Sequence, residues 1–216
     1  MIPAFNEAET LDRVVVGAKA AGLRCMVVDD GSTDHSVQTA EAAGADVVVR
    51  HPANRGYEAA LGTGLRAAGA RPGCRWTVSL DADGQLDPVE ALHLVHDAEA
   101  AGAAIAVGIR PQPARFSEWI ASRLLYALVG IRDPLCGLKA YRVDVVRKFP
   151  DSCGRRVGME LAVRAVRGGY ALAQANVSME PRPKHGSRYG RGLAAEVRIV
   201  GAAMALVPMA FGEGDA

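Results

Sequence analysis

The sequence predicts an α/β fold with a mostly parallel central sheet flanked by helices. Short apolar runs rich in Val and Ile alternate with longer stretches of helical periodicity. The runs are apolar throughout rather than alternating, as strands covered on both faces must be, and polar clusters fall at their ends. In chain order the expected strands are "LRCMVV" (23–28), "ADVVV" (45–49), "WTVSL" (76–80) and "AAIAVG" (103–108). The expected helices cover 7–20, 34–43, 57–70 and 88–101, the last opened by Pro88 with Asp87 as its cap. Strand and helix in this rhythm give parallel pairing through right-handed crossovers. Pro3 stands so close to Met1 that a strand before it is expected to be almost absent. Beyond residue 110 the rhythm breaks. "RPQPARFSEW" leads into a helix near 117–129, followed by a turn at "DPLCG" (133–137), a helix at 156–167, a strand near 170–179 and a basic loop at 182–192. These read as an elaboration of one domain over 1–216, divided into a 1–110 half and a 111–216 half that ends in a helix.

A chain of 216 residues that is 50% hydrophobic and 5% aromatic is a folded globular protein rather than a disordered one. The net charge of +1 gives no general attraction to nucleic acid. It hides an asymmetry: residues 1–138 carry 12 Lys/Arg against 17 Asp/Glu, and residues 139–216 carry 13 against 7. A basic last third beside an acidic body suits an anionic ligand held partly through a metal and partly by arginines. Cys25, Cys74, Cys136 and Cys153 form no C-x-x-C pair, so neither a disulfide framework nor a zinc site is expected, and a reducing cytoplasm is the default. No secretory leader is expected, and no window reaches the roughly 18 uninterrupted apolar residues of a membrane span. "IVGAAMALVPMAF" (199–211) is the nearest. Core packing is its plainer explanation, with contact to a membrane surface or to another copy of the chain as the alternatives.

Ligands of open α/β sheets bind beyond the carboxyl ends of the strands. Three clusters fall there: "PAFNE" (3–7), "DDGSTD" (29–34) and "DADGQ" (81–85). In the second, Ser32, Thr33 or Asp34 suffices to cap the next helix. Two adjacent aspartates exceed that need, and Asp29 or Asp30 can accept hydrogen bonds from a base or a ribose. In the third, Asp81 and Asp83 share one side of an extended segment, with Gln85 next in line. Like charges so close repel unless a cation lies between them or one keeps a proton. Oxygen-only ligands select Mg²⁺ or Mn²⁺, ions that keep waters and bridge to phosphates, so the expected partner is a nucleotide diphosphate.

Two patterns are set aside. "GTGLRA" (62–67) matches a dinucleotide-binding fingerprint but does not follow a strand, so its glycines are expected to serve helix packing. His93 and His96 read as a solvated helix face. The loop holding Arg182, Lys184, His185, Arg188 and Arg191 is dense in donors, as a segment closing over phosphates would be, and Arg110 at a strand end is placed to join it.

"IPAFNE", "VVDDGSTD", "NRGYEAALGTG", "SLDADGQLDP", "VGIR", "DPLCGLKAYR", "MEL" and "RPKHGSRYG" together resemble the family-two glycosyltransferases with the GT-A fold, particularly their polyprenyl-phosphate (dolichol-phosphate mannosyltransferase-like) members. The resemblance implies a nucleoside site at Pro3, Ala4, Phe5, Glu7, Asp29 and Asp30 in the first half. It implies a metal and donor diphosphate on Asp81, Asp83 and Gln85, a closing loop with Arg182 and Ser187, and Arg110 and Arg123 toward the acceptor phosphate. The implied reaction is inverting, metal-dependent transfer of a sugar from a GDP- or UDP-sugar to a polyprenyl phosphate. The enzyme would be cytoplasmic, at the inner membrane face, with room for a homo-oligomer. Many members carry a Glu-Asp pair on the helix after the acceptor region; here "MEL" offers Glu160 beside Leu161. A small-molecule hydroxyl acceptor would need Glu160 as general base, whereas a phosphate needs cations instead.

Overall fold

Among the described residues, which are 1–112, 115–180 and 193–211 of this computed structural model, the sheet begins with β1 (Ile2–Ala4), β2 (Met26–Asp29) and β3 (Val47–Arg50). These three pair in parallel, with β1 and β3 on either side of β2. A second set holds β4 (Trp76–Ser79), β5 (Ile105–Ile109), β6 (Lys139–Arg142) and β7 (Leu172–Asn176), in the spatial order β4-β6-β5-β7. The sets meet at Met1, whose amino group donates to Val78 O at 2.7 Å and whose carbonyl accepts Leu80 N–H at 3.1 Å. The short β1 is therefore present, fully buried, and seated between β2 and β4.

Helices cover both faces. α1 (Leu11–Ala20), α2 (Ser36–Ala42) and α4 (Val89–Ala100) bury Leu11, Val14, Val15, Ala40, Leu94 and Ala98 on one side. α3 (Tyr57–Ala70), α5 (Phe116–Val129), α6 (Val143–Lys148), α8 (Glu160–Arg167) and α9 (Leu193–Met204) pack Leu61, Leu65, Leu125, Val146, Leu161 and Ile199 on the other. Along β5, Ile105 and Val107 enter one core and Ala106 the other, which is why this run is apolar at every position. The connections through α1 and α2 build outward from β1 in one direction, and α3 carries the chain back to β4 on β1's other side. A crevice opens beyond the carboxyl ends of β1 and β4, at the point where the winding reverses.

Three elements differ from expectation. β6 is antiparallel to both β4 and β5. Its sequence "KAYR" has charges at both ends and no apolar run, so nothing in its pattern marks a central strand. The helix expected over 156–167 becomes regular only at Glu160. Before it, the short α7 (Arg155–Gly158) passes through left-handed geometry at Arg156 (φ 50°) and Val157 (φ 59°), a costly conformation for a buried β-branched residue. The C-terminal helical stretch is longer than 199–211: α9 and α10 (Val207–Phe211) together run Leu193–Phe211, long and apolar enough to cross a membrane by length and composition. Ile199, Ala203, Leu206 and Ala210 are buried in the core, and Leu193, Val197, Met204 and Phe211 are exposed.

The glycines of "GTGLRA" lie inside α3, at its tightest contacts. A Cβ at Gly62 would meet the Cys153 carbonyl at 2.6 Å, and one at Gly64 would press on Met1 and Val28. Helix propensity alone favours Ala over Gly by about 1 kcal/mol. The backbone contact reverses that sign: Gly62→Ala should destabilise the protein by about 1–3 kcal/mol, as read from urea unfolding midpoints. A stabilised Gly62→Ala variant would show that α3 has room to move away from Cys153.

Candidate active site

Beyond β1, β2 and β4 lies a cavity of about 360 Å³ lined by Pro3, Ala4, Phe5, Glu7, Asp30, Asn54, Gly56, Tyr57, Ala60, Asp81, Ala82, Asp83 and Arg198. The three polar clusters thus come together as the strand ends predict. They are also fastened to one another. Asn6, in left-handed geometry (φ 54°), donates its N–H to Ser32 Oγ at 2.9 Å and accepts Thr33 N–H on Oδ1 at 2.9 Å. Glu7 N–H and Ala8 N–H donate to Ser36 Oγ (2.9 Å) and Asp34 Oδ2 (3.2 Å). Asp34 also accepts Ser36 N–H at 3.0 Å, so it holds the start of α2 while tying that start to the β1 loop.

The two adjacent aspartates have different surroundings. Asp29 is fully buried, accepts Ser32 N–H at 3.3 Å on both oxygens, and has Arg50 Nε at 3.4 Å. Its carboxylate, expected to meet the nucleoside, braces the turn and is not among the residues lining the cavity. Asp30 does line the cavity, while its oxygens accept Gly56 N–H (2.7 Å), Arg55 N–H (3.1 and 3.2 Å) and a short contact of 2.6 Å to His51 Nδ1. His51 Nε2 lies 3.0 Å from Thr63 Oγ1. Asp30 and His51 thereby hold the 51–56 loop at the cavity mouth. Sequence patterns gave His51 no role, because a single histidine after a strand carries no recognisable spacing.

Asp81 and Asp83 both reach the cavity; Asp83 is buried and Tyr57 Oη stands 3.5 Å from Asp81 Oδ1. The loop that carries them is clasped by α1: Thr10 Oγ1 donates to Ala82 O at 2.8 Å, and the Arg13 guanidinium donates to Gly84 O, where the chain turns at φ 69°. Gln85 does not complete the expected trio. Its side-chain amide points toward Glu180 O at 3.4 Å, outside the cavity wall. Among the described residues no three His, Cys, Asp or Glu side chains cluster as a metal cage. Asp81 and Asp83 together bring carboxylate oxygens to the cavity wall. That suits a hard divalent ion completing its shell with water and phosphate.

The turn at 133–138 forms the wall behind Asp81. Ser79 Oγ donates to Gly137 O at 3.0 Å and brings Gly137 against the Asp81 carboxylate, so closely that a Cβ there would overlap it. Arg110 anchors the other end of this turn. Its N–H and Nε donate to Asp133 Oδ2 at 3.1 and 2.8 Å, and its Nη2 reaches Asp133 Oδ1 at 2.8 Å and Glu118 Oε2 at 2.9 Å. Burial alone would raise the Asp133 carboxyl, but the Arg110 hydrogen bonds and charge hold it below the usual carboxylate range. Burial works against the Arg110 charge too, and Asp133 with Glu118 more than offsets it. Arg110, expected to face the acceptor phosphate, is engaged here by two acids. Lys139 lies beneath the turn, donates to Cys136 O at 2.8 Å, and is pushed down by burial to about 8.

Glu160 is likewise buried. Oε1 accepts from Arg164 Nε at 3.1 Å and from Ser152 Oγ at 3.2 Å, and Arg156 Nε lies 3.2 Å from Oε2. It is not among the residues that line the described cavity. Arg123 is exposed on α5, its guanidinium 5.6 Å over the Trp119 ring. His93 and His96 are solvated, as expected. Arg182, Lys184, His185, Ser187, Arg188 and Arg191 lie outside the described residues.

Residues 1–149 match the family model described as glycosyl transferase family 2. The chain belongs to that family. It is 33% identical over 204 residues to a polyprenol monophosphomannose synthase of Mycolicibacterium smegmatis, a match spanning 84% of this chain and 77% of that protein. It is 32% identical over 166 residues to an undecaprenyl-phosphate 4-deoxy-4-formamido-L-arabinose transferase of Pseudomonas fluorescens, across 68% of this chain and 47% of that one. Among solved structures it superposes on glucosyl-3-phosphoglycerate synthase from Mycobacterium tuberculosis in complex with Mn²⁺, UDP and glucosyl-3-phosphoglycerate. The TM-score is 0.77 at 24% identity, over 100% of this chain and 80% of that chain. The same synthase with Mg²⁺ and UDP also gives 0.77. The architecture is the GT-A fold, and this family-two glycosyltransferase is an enzyme.

In this glycosyltransferase the 133–138 turn sets where Asp81 can stand. Gly137→Ala should displace the Asp81 carboxylate and lower sugar transfer about a hundredfold, the scale of a roughly 1 Å misplacement. The unfolding midpoint should move little. Undiminished transfer by Gly137→Ala would show that the position of Asp81 is set elsewhere.

Proposed function

We propose that the enzyme transfers a sugar from a nucleotide-sugar to a polyprenyl phosphate, with Mg²⁺ or Mn²⁺ held by Asp81 and Asp83. The observation that carries this is the single cavity joining the β1 and β2 clusters to those two carboxylates. The acceptor class is supported by the two relatives named for polyprenol monophosphomannose and undecaprenyl-phosphate sugar transfer. The chemistry of Glu160 agrees with it. A phosphate acceptor is ionised at neutral pH and needs no general base, and the acid that a hydroxyl acceptor would need is buried between two arginines.

The nucleoside would lie along Pro3, Ala4 and Phe5, with Asp30 holding the 51–56 loop against it. Bound at Asp81 and Asp83, the metal would offset the charge of the departing diphosphate. Tyr57 and the Gly137 wall keep Asp81 in place, and Thr10 and Arg13 hold the backbone of its loop. The acceptor oxygen forms its bond to the anomeric carbon from the face opposite the diphosphate. The bond from that carbon to the diphosphate oxygen breaks as it does so, and its electron pair leaves with the nucleoside diphosphate. On this reading residues 1–110 form the donor half and 111–216 the acceptor half. The lipid tail would be met at the inner membrane face by the outward apolar residues of α5 and of the Leu193–Phe211 stretch, only 28% of which is buried. Phe116 and Trp119 stack there with ring centroids 5.7 Å apart, beside Arg123. Aromatic and basic side chains together suit the headgroup level of a membrane.

Two measurements test the proposal. Asp83→Ala should abolish transfer and remove the metal-dependent part of donor affinity, and equal turnover in EDTA and in Mn²⁺ would sink the metal assignment. Labelled nucleotide-sugars offered with undecaprenyl phosphate should carry label into the lipid phase, and Glu160→Gln should keep that transfer while lowering the unfolding midpoint. Label passing only to soluble alcohols, and lost in Glu160→Gln, would make the acceptor a hydroxyl.

A further inference from the structure

The described wall of the cavity carries Glu7, Asp30, Asp81 and Asp83 and one cationic side chain, Arg198. Arg198 comes from α9, far along the chain from the strand-end clusters, and no motif marks it. Its Nη2 lies 3.2 Å from Glu58 Oε1, in the first turn of α3, with both side chains partly exposed. An ion pair of this kind is weak and exchanges readily. Glu58 adjoins Tyr57, whose hydroxyl approaches Asp81. The pair therefore stands at the rim between the α3 start and the carboxylates proposed to hold the metal.

We propose that Arg198 is a donor-binding residue that leaves Glu58 to pair with the phosphate oxygens of the nucleoside diphosphate; this rests on the donor reading above. The charge count calls for it. A nucleoside diphosphate released at neutral pH carries about three negative charges against the two positive charges of one divalent ion, and it does so in a cavity already rich in carboxylates. A guanidinium can grip two phosphate oxygens at once. Glu58 acts as the resting partner, keeping Arg198 at the rim while the site is empty and competing with the incoming phosphates.

Calorimetric titration of UDP, GDP and the corresponding nucleosides in the presence of Mn²⁺ tests this with Arg198→Gln, Arg198→Lys and Glu58→Gln. Arg198→Gln should weaken the favoured nucleoside diphosphate by about ten- to a hundredfold, the value of a hydrogen bond to a charged group, and leave the nucleoside unchanged. Arg198→Lys should recover part of the loss, and Glu58→Gln should bind the diphosphate more tightly than the wild type. Wild-type binding that Arg198→Gln leaves unaltered overturns the assignment alone. Equal weakening of nucleoside and diphosphate also overturns it, because α9 would then merely shape the pocket. A wild type that binds neither diphosphate overturns the donor reading and this assignment with it.

Discussion

Glu7, Asp30, Asp81 and Asp83 line one cavity, and like charges that share a cavity must be held in place against their mutual repulsion. Much of the local structure does that holding. Asp30 is engaged from behind by backbone N–H groups of Arg55 and Gly56 and by His51, so it holds a loop in place. The aspartate loop is anchored by Thr10 and Arg13 from α1, by Ser79 through Gly137, and by Tyr57 from α3. Elements from both faces of the sheet thus converge on a stretch of five residues. Two acids that share a cavity wall keep their positions only if the surrounding structure is rigid, since the acids alone would move apart.

That rigidity explains where the glycines are. Gly137 lets a turn lie flat on Asp81, and Gly62 lets α3 touch the Cys153 carbonyl. Gly56 adopts φ 90° at the N-terminus of α3 while giving its N–H to Asp30. Gly137 and Gly62 each remove a Cβ where a carboxylate or a backbone carbonyl approaches more closely than a side chain allows, and Gly56 supplies a left-handed φ that L side chains rarely adopt. From sequence Gly56 and Gly137 look like loop signals, and Gly62 reads as a helix-packing glycine with no partner named. Their purpose depends on a partner 26 to 91 positions away, and no local pattern identifies that partner.

The parallel first half was legible because its strands are buried on both faces and its helices repeat at helical spacing. α3 falls on its expected residues, and the clusters at 3–7, 29–34 and 81–85 meet as the rule for strand ends requires. Legibility fades after residue 110 for a physical reason. β6 owes its central place to neighbours on both sides and to Lys139, whose charge is satisfied by Cys136 O inside the sheet. The left-handed turn at Arg156 and Val157 contradicts local propensity outright. Residue type also misleads when burial decides the role. Asp29 and Arg110 carry the right charges at strand ends, yet both are turned into supports for neighbouring loops.

Arg110 shows what distinguishes a support from a ligand-binding group in this protein. Held by Asp133 and Glu118 with little solvent contact, it could reach a phosphate only by leaving two acids buried without a cation, at a cost of several kcal/mol. Arg198 pairs with Glu58 at a solvated rim, and separating the two costs about 1 kcal/mol or less. Both residues are arginines near the same crevice with acidic partners at similar distances. Burial sets which of the two can exchange its partner for a ligand, and it is the property that sequence spacing does not report.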